Sequence, residues 1–216
     1  MVAKTPEAAL KGADKVKVEY EVLKPVVTIE EAIDTKSFHP LFGPRIKATE
    51  NIQDDLSKSD IVIQGELRSG AQEHFYMEPQ CCLAIPSNED GEMTVYSTTQ
   101  NPTETQRLVA HVLNVPMNRV VTKVKRLGGG FGGKETRSVP LCLAAAFAAS
   151  KTNLPVRVCL DRDQDMLMCG QRHPFYTKYQ VGCTKDGKLK AIDADMYCNA
   201  GYSLDLSFAV IHRYVI

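Results

Sequence analysis

The sequence predicts an α+β protein, a mixed fold in which most strands do not alternate strictly with helices. Four β-type stretches follow one another between residues 61 and 99. Two strand-and-helix pairs come next, and a long β-hairpin occupies residues 175–200. Runs of consecutive strands beside separate helices are typical of α+β folds, in which helices cover one face or end of a sheet built from neighbouring strands.

The first 50 residues predict two short helices and one strand. A threonine cap followed by proline indicates a helix over residues 5–16. Residues 16–23 alternate between apolar and polar side chains, as a strand does. The run TIEE is a capping box and predicts a second helix over residues 28–33. Residues 34–50 contain two prolines and little periodicity, so we expect a linker there.

Period-two patterning and turn residues predict the strands of the remaining chain. The predicted strands cover residues 61–68, 74–78, 81–86, 92–99, 119–126 and 155–160, with a hairpin formed by residues 175–184 and 187–200. The predicted helices cover residues 102–114, 138–150 and 161–168. The helix over 138–150 is almost entirely apolar, so we expect it to be covered on most sides. An apolar run over 206–216 has no terminating residue, which favours a chain that continues.

Composition excludes several classes of function. Lys plus Arg and Asp plus Glu both number 26, so no net charge favours nucleic acid as a partner. No apolar run reaches the roughly 18 residues of a membrane span, and the polar start is unlike a secretory signal. The seven cysteines contain no C-x-x-C pair, so reduced and mostly buried thiols are expected. These observations predict a cytoplasmic protein, with the peroxisome as the alternative.

The stretch RLGGGFGGKETRS, residues 126–138, allows three interpretations. A phosphate-binding P-loop needs Ser or Thr after Gly-Lys, but Glu135 stands there and would repel phosphate by about 1 kcal/mol. A Rossmann-type NAD site has a suitable strand and helix around the glycines. It lacks the acidic residue about 20 positions later, where Asn153 stands, and the nearest candidate is Asp161.

The third interpretation is a loop that approaches an anionic or oxo ligand through its backbone. Glycines permit positive φ and close approach, so amides around Phe131 can point at such a ligand. The Phe131 ring would exclude water from the site. We expect Glu135 on the first turn of the following helix, where its carboxylic acid can bind a polar ring, although helix-dipole complementation would also explain this residue.

Three motifs in order carry a family resemblance: GAQEHFYMEP, VKRLGGGFGGKETRS and LDRDQDMLMCGQRHPF. Together they resemble the molybdopterin-binding domain of the xanthine dehydrogenase/oxidase enzymes in the molybdenum hydroxylase family. The resemblance implies that residues 1–35 are the tail of an α/β hammerhead-type domain. It also implies that residues 36–216 are the N-terminal part of the molybdopterin-binding domain, truncated at its C-terminus.

The resemblance assigns roles to four residues. It implies that Gln72 approaches the apical oxo ligand of molybdenum and that Phe131 and Gly132 contact the metal centre through their main chain. It implies that Glu135 contacts the purine substrate, where aldehyde oxidases usually carry an apolar residue. Two other features are interpreted as structural: His74, and the motif over residues 162–175.

The implied reaction is hydroxylation of hypoxanthine to xanthine and of xanthine to urate at a molybdenum–molybdopterin centre in purine catabolism. The family's catalytic base lies downstream of the part that this chain resembles, so the isolated chain is expected to be inactive. FAD and two 2Fe–2S clusters are implied only for the full-length enzyme, which is expected to be a homodimer. An aldehyde oxidase fragment, a Rossmann-type NAD-binding protein and a non-catalytic interaction domain remain as alternatives.

Overall fold

The computed structural model describes residues 1–40, 50–87, 89 and 91–215, with side chains to residue 213. The helices are α1 (Pro6–Ala13), α2 (Ile29–Asp34), α3 (Ile52–Ser57), α4 (Pro102–Leu113), α5 (Val139–Thr152), α6 (Arg162–Cys169) and α7 (Ser207–Val215). The strands are β1 (Ile61–Ser69), β2 (Cys81–Pro86), β3 (Met93–Ser97), β4 (Val120–Lys123), β5 (Val156–Cys159), β6 (Phe175–Cys183) and β7 (Leu189–Cys198). The mixture of helices and two sheets confirms the predicted α+β class.

The chain divides into two compact units, each made from two separate stretches. The first unit contains residues 1–23 and 73–172, and the second contains residues 24–72 and 173–216. The predicted boundary at residue 35 separates two domains of the family and not two compact units, so it stays a prediction. Of the described helices, none is long and apolar enough to cross a membrane.

The first unit is built on a four-stranded mixed sheet. Its strand order is β4-β3-β2-β5, with β3 and β4 parallel and the other neighbours antiparallel. Helices α4 and α5 pack on this sheet and on each other. Because a dinucleotide-binding fold needs a largely parallel sheet with its glycine loop after the first strand, the Rossmann-type alternative is wrong.

Helix α5 buries one face instead of most of its surface. Its buried residues include Cys142, Ala145, Ala146 and Ala149, which recur at helical spacing against the sheet. Phe147 on another face is 49% exposed. The expectation of cover on most sides is therefore not met by the described residues, since the buried alanines pack on one face only.

The second unit contains an antiparallel sheet in the order β1-β6-β7. Strands β6 and β7 form the predicted hairpin, with Gly187 at a φ of 83° in the turn. Strand β1 pairs with β6 along its whole length, from Ile61 opposite Cys183 to Ser69 opposite Phe175. Helix α3 packs against β7 and β6.

Several local predictions differ from the structure. Residues 16–23 are not a strand, and their side chains are exposed, since none of the described strands pairs with them. Residues 74–78 are irregular because Phe75 adopts a φ of 43°, which ends an extended course. Helix α3 was not predicted, although Asn51 caps it through the Asp54 amide. Residues 41–49 of the expected linker lie outside the described residues.

Candidate functional site

The glycine-rich loop joins β4 to α5 and turns through three left-handed residues. Gly129, Phe131 and Gly132 have φ angles of 93°, 52° and 91°. A positive φ is unfavourable for phenylalanine, so the surrounding contacts must hold this conformation. The Gly133 amide donates to the Gly130 carbonyl at 2.8 Å and closes the tightest part of the loop.

The glycines are required mainly because protein side chains approach the loop closely. A Cβ on Gly130 would lie 2.5 Å from the Gln100 side-chain oxygen. The same crowding would place a Cβ on Gly128 at 2.4 Å from Glu78 and a Cβ on Gly133 at 2.8 Å from the His74 ring. Much of the glycine density therefore reflects contacts within the protein.

Gln100 fixes the backbone of this loop, and the sequence analysis missed it. Its Oε1 accepts hydrogen bonds from the Gly132 amide at 3.0 Å and from the Lys134 amide at 3.2 Å. Its own backbone amide donates to the Lys134 carbonyl at 2.8 Å. The signal available in the sequence was a glutamine directly after a buried strand, in STTQNP, but an isolated strand-end amide predicts nothing by itself.

Glu78 and Lys134 connect the two ends of the glycine-rich segment, residues 128–134. Glu78 Oε2 accepts from the Gly128 amide at 2.9 Å and from Lys134 Nζ at 3.0 Å. The Lys134 side chain is 0% exposed, and its Nζ lies 4.6 Å from the centre of the Tyr76 ring. A buried ammonium needs a charged partner, and Glu78 supplies it.

A buried polar cluster supports the loop from below. Asp165, on α6, is 1% exposed and accepts from the Gln80 amide at 2.9 Å and from the Tyr76 hydroxyl. Gln80 in turn donates from Nε2 to the Gly133 carbonyl at 3.0 Å. Cys169 donates to Asp165 at 2.8 Å. Helix α6 therefore anchors residues 76–80 through Asp165, and Gln80 in that segment supports the loop.

Burial determines the protonation of this cluster. It raises the pKa of the Tyr76 hydroxyl far above its usual range, with the neighbouring Asp165 adding to the effect. It also raises the pKa of the Cys169 thiol, again with help from Asp165. Both groups are therefore neutral donors at physiological pH. The sequence predicts a structural role for the motif containing α6, and these contacts are of the kind that such a role requires.

The four predicted site residues have different surroundings in the structure. Phe131 and Gly132 lie side by side at the tip of the loop, and the Phe131 side chain is 70% exposed. Glu135 is partly buried, but it precedes α5 by four residues, so the predicted position on the first helical turn is wrong. Gln72 is exposed and belongs to the second unit, whereas the loop belongs to the first.

Two further features bear on ligands. No group of three His, Cys, Asp or Glu side chains among the described residues could hold a metal ion directly. Near the loop, the structure offers backbone groups, the Gln100 carboxamide and the Glu135 carboxylate. A separate cavity of about 560 Å³ lies in the second unit between residues 26–40 and residues 196–211, with a mostly apolar lining.

Comparison with known proteins identifies the family. The model of the molybdopterin cofactor-binding domain matches residues 38–216, most of the chain. The chain therefore belongs to this family, as the resemblance implied. Xanthine dehydrogenase from Emericella nidulans is 53% identical over 213 residues, which are 99% of this chain and 16% of that protein. Xanthine dehydrogenase/oxidase from Gallus gallus is 49% identical over 214 residues, again 16% of its length.

Solved structures support the fold. Aldehyde oxidoreductase from Desulfovibrio gigas superposes with a TM-score of 0.79 at 24% sequence identity, covering 91% of this chain and 22% of that chain. Because the identity is low, the match concerns the fold alone. This chain spans about one sixth of the length of the curated relatives it matches.

Proposed function

We propose that this chain is part of a molybdenum-dependent xanthine dehydrogenase/oxidase that hydroxylates hypoxanthine to xanthine and xanthine to urate. The glycine loop with Gln100, Phe131 and Gly132 would form one wall of the molybdenum cofactor site. The observation that carries the proposal is a neutral carboxamide bonded to the main chain of the phenylalanine–glycine pair. Near-50% identity to proteins named as xanthine dehydrogenases supports the substrate class.

The residues at the loop fit a cofactor that brings its own metal ligands. Gln100 Oε1 already accepts from two amides, so the donor of this side chain is its Nε2 amino group. Such a donor can bind an oxo group without adding charge. When bound, the molybdenum cofactor would supply oxygen transfer to the ring carbon and accept two electrons. The protein would hold the cofactor, exclude water and orient the purine.

Gln100 is a stronger candidate for this donor than Gln72. Gln100 contacts the amide of Gly132, one of the two residues assigned to the metal centre. Gln72 remains a prediction from the resemblance. Replacing each by alanine in the complete protein would separate them: we expect Gln100→Ala to lower molybdenum content or turnover at least about tenfold, as loss of one oriented donor does, and Gln72→Ala to have the smaller effect.

Glu135 is the proposed substrate contact that distinguishes purines from aldehydes. Its carboxylic acid can hydrogen-bond a polar heterocycle, and an apolar residue cannot. We expect Glu135→Val to raise the KM for xanthine while molybdenum content stays unchanged. Glu104→Gln, at a partly exposed position of α4, is the control for loss of a carboxylate. If Glu135→Val left the kinetics for xanthine unchanged, as Glu104→Gln should, the substrate assignment would be lost.

The test of the whole proposal is molybdenum analysis and xanthine oxidation by the complete protein. Absence of both would refute it. The purified 216-residue chain should bind the cofactor weakly and show no turnover, so xanthine-dependent dye reduction by that chain would contradict the expected downstream base.

The remaining features of the full-length enzyme belong to the same proposal. They comprise FAD, two 2Fe–2S clusters, a homodimer in the cytoplasm, and residues 1–35 as the tail of a hammerhead-type domain. Absorption spectra would test the first two, and light scattering would test the dimer.

A further inference from the structure

We propose that Glu78 and Lys134 form a positioning clamp, an ion pair whose purpose is to place the cofactor-facing arm of the loop, residues 128–132. The inference rests on the proposed function. It assigns the pair no contact with substrate or cofactor. Its effect on the reaction would be transmitted through the backbone of Phe131 and Gly132.

The geometry shows how one carboxylate oxygen closes the loop. Glu78 Oε2 lies 2.9 Å from the Gly128 amide nitrogen and 3.0 Å from Lys134 Nζ. The Glu78 amide also donates to the Gly128 carbonyl at 3.2 Å. Residues 128 and 134 are six positions apart, so this oxygen connects the two ends of the glycine-rich segment within the loop. The arm between them is therefore held at both ends.

The second end of the loop has anchors that do not depend on the clamp. The Lys134 carbonyl accepts from the Gln100 amide at 2.8 Å and from the hydroxyls of Thr99 and Ser138 at 3.2 Å. Glu135 follows this anchored carbonyl directly. Among the described residues, Gly128 forms hydrogen bonds only with Glu78. Breaking the clamp should therefore loosen residues 128–131, while Gln100 still holds the Gly132 amide and Glu135 stays in place.

The effect of the ion pair on stability can be separated from its effect on the position of the loop. A buried ion pair can often be replaced by apolar or neutral groups of similar volume without loss of stability, whereas removing one partner leaves an uncompensated charge. Lys134→Met keeps a flexible side chain beneath the loop and beside Tyr76. Glu78→Met removes the acceptor of the Gly128 amide, a backbone group that is exposed to water. The double variant should thus regain the stability that each single variant loses, without regaining the clamp.

The experiment uses the complete protein loaded with its cofactor and compares Lys134→Met, Glu78→Met and the double variant. In the double variant we expect a melting temperature within about 3 °C of the wild type. We expect kcat for xanthine to fall about tenfold or more with KM changed less than about twofold, since a displacement near 1 Å costs this much. The Mo(V) electron paramagnetic resonance signal should change with kcat. Lys151→Met, which removes an exposed ammonium beside Phe147, is the matched control.

Hydrogen exchange provides a readout without turnover. The amides of residues 128–131 should exchange faster in the double variant than in the wild type, and the amides of Gly132 and Lys134, both bonded to Gln100, should change little. Unchanged exchange, or wild-type kcat in the double variant, would overturn the clamp. An increase in KM alone would also overturn it, because Glu135 would then be the residue that moved. If the wild type held no molybdenum, the proposed function would fail, whereas the exchange measurement would still decide whether the pair holds the arm.

Discussion

Replacing Asp165 by asparagine should strongly destabilise the first unit. The carboxylate is 1% exposed and accepts from the Gln80 amide, the Tyr76 hydroxyl and the Cys169 thiol. Asparagine has nearly the same shape but carries one acceptor and one donor group. Either orientation of the amide loses at least one of these hydrogen bonds, because NH₂ at the Oδ2 position faces the fixed Gln80 amide, and NH₂ at the Oδ1 position removes the acceptor of the Tyr76 hydroxyl and the Cys169 thiol.

The expected loss follows from these contacts. One charge-assisted hydrogen bond is worth about 1.5–3 kcal/mol, and a buried donor left without an acceptor costs about 1–3 kcal/mol. We therefore expect the free energy of unfolding to fall by about 3–4 kcal/mol. For a chain of this size that corresponds to a decrease of roughly 6–16 °C in melting temperature.

Urea unfolding followed by circular dichroism measures this loss. Asp163→Asn is the matched control, because Asp163 is exposed and lies in the first turn of the same helix. It should cost less than about 1 kcal/mol, the usual contribution of a carboxylate near a helix N-terminus. Equal losses for the two substitutions would mean that Asp165 contributes only its charge, and the cluster would then not support the loop.

Three further predictions concern the core, the loop and pH. Val109→Ala, at a side chain 0% exposed, should cost about 2–3 kcal/mol in urea unfolding, the sum of two lost methyl groups and a small cavity. Gly130→Ala should cost about 2 kcal/mol by displacing Gln100 from two amides, whereas Gly70→Ala, with nothing within 4 Å, should cost under about 0.5 kcal/mol. Burial lowers the pKa of His173 from its usual 6.5, so the unfolded chain binds the proton more readily and stability should fall as pH falls below about 6.5. His173→Gln should flatten that fall in melting temperature, and an unchanged pH dependence would exclude His173 as its source.

Local chemistry predicted most elements of the fold. Thr5, Thr28 and Asn101 each accept a hydrogen bond from an amide of the helix that they cap, as expected from their positions. The strand predicted over 16–23 failed for a different reason. Alternation describes the side chains of a strand, but only a neighbouring strand completes its backbone hydrogen bonds, and the sequence pattern contains no information about that neighbour.

The candidate site shows the same limit more sharply. The glycine density near Phe131 correctly indicated an unusual backbone, because positive φ is a local property. The close approach of Gln100 and Glu78 was not predictable, since these residues lie 32 and 50 positions from the loop residues that they contact. Contacts at that separation depend on the assembled sheet, whose strand order no local pattern specifies.

The pairing of β1 with β6 has a consequence for biosynthesis. Ser69 pairs with Phe175, which is translated 106 residues later (175 − 69). Ile61 pairs with Cys183, which is translated 122 residues later (183 − 61). At about 5–20 residues per second, a ribosome needs roughly 5–25 s to make that intervening chain. Throughout this interval β1 lacks its partner β6. An unpaired strand edge is the kind of segment to which chaperones bind and at which nascent chains aggregate.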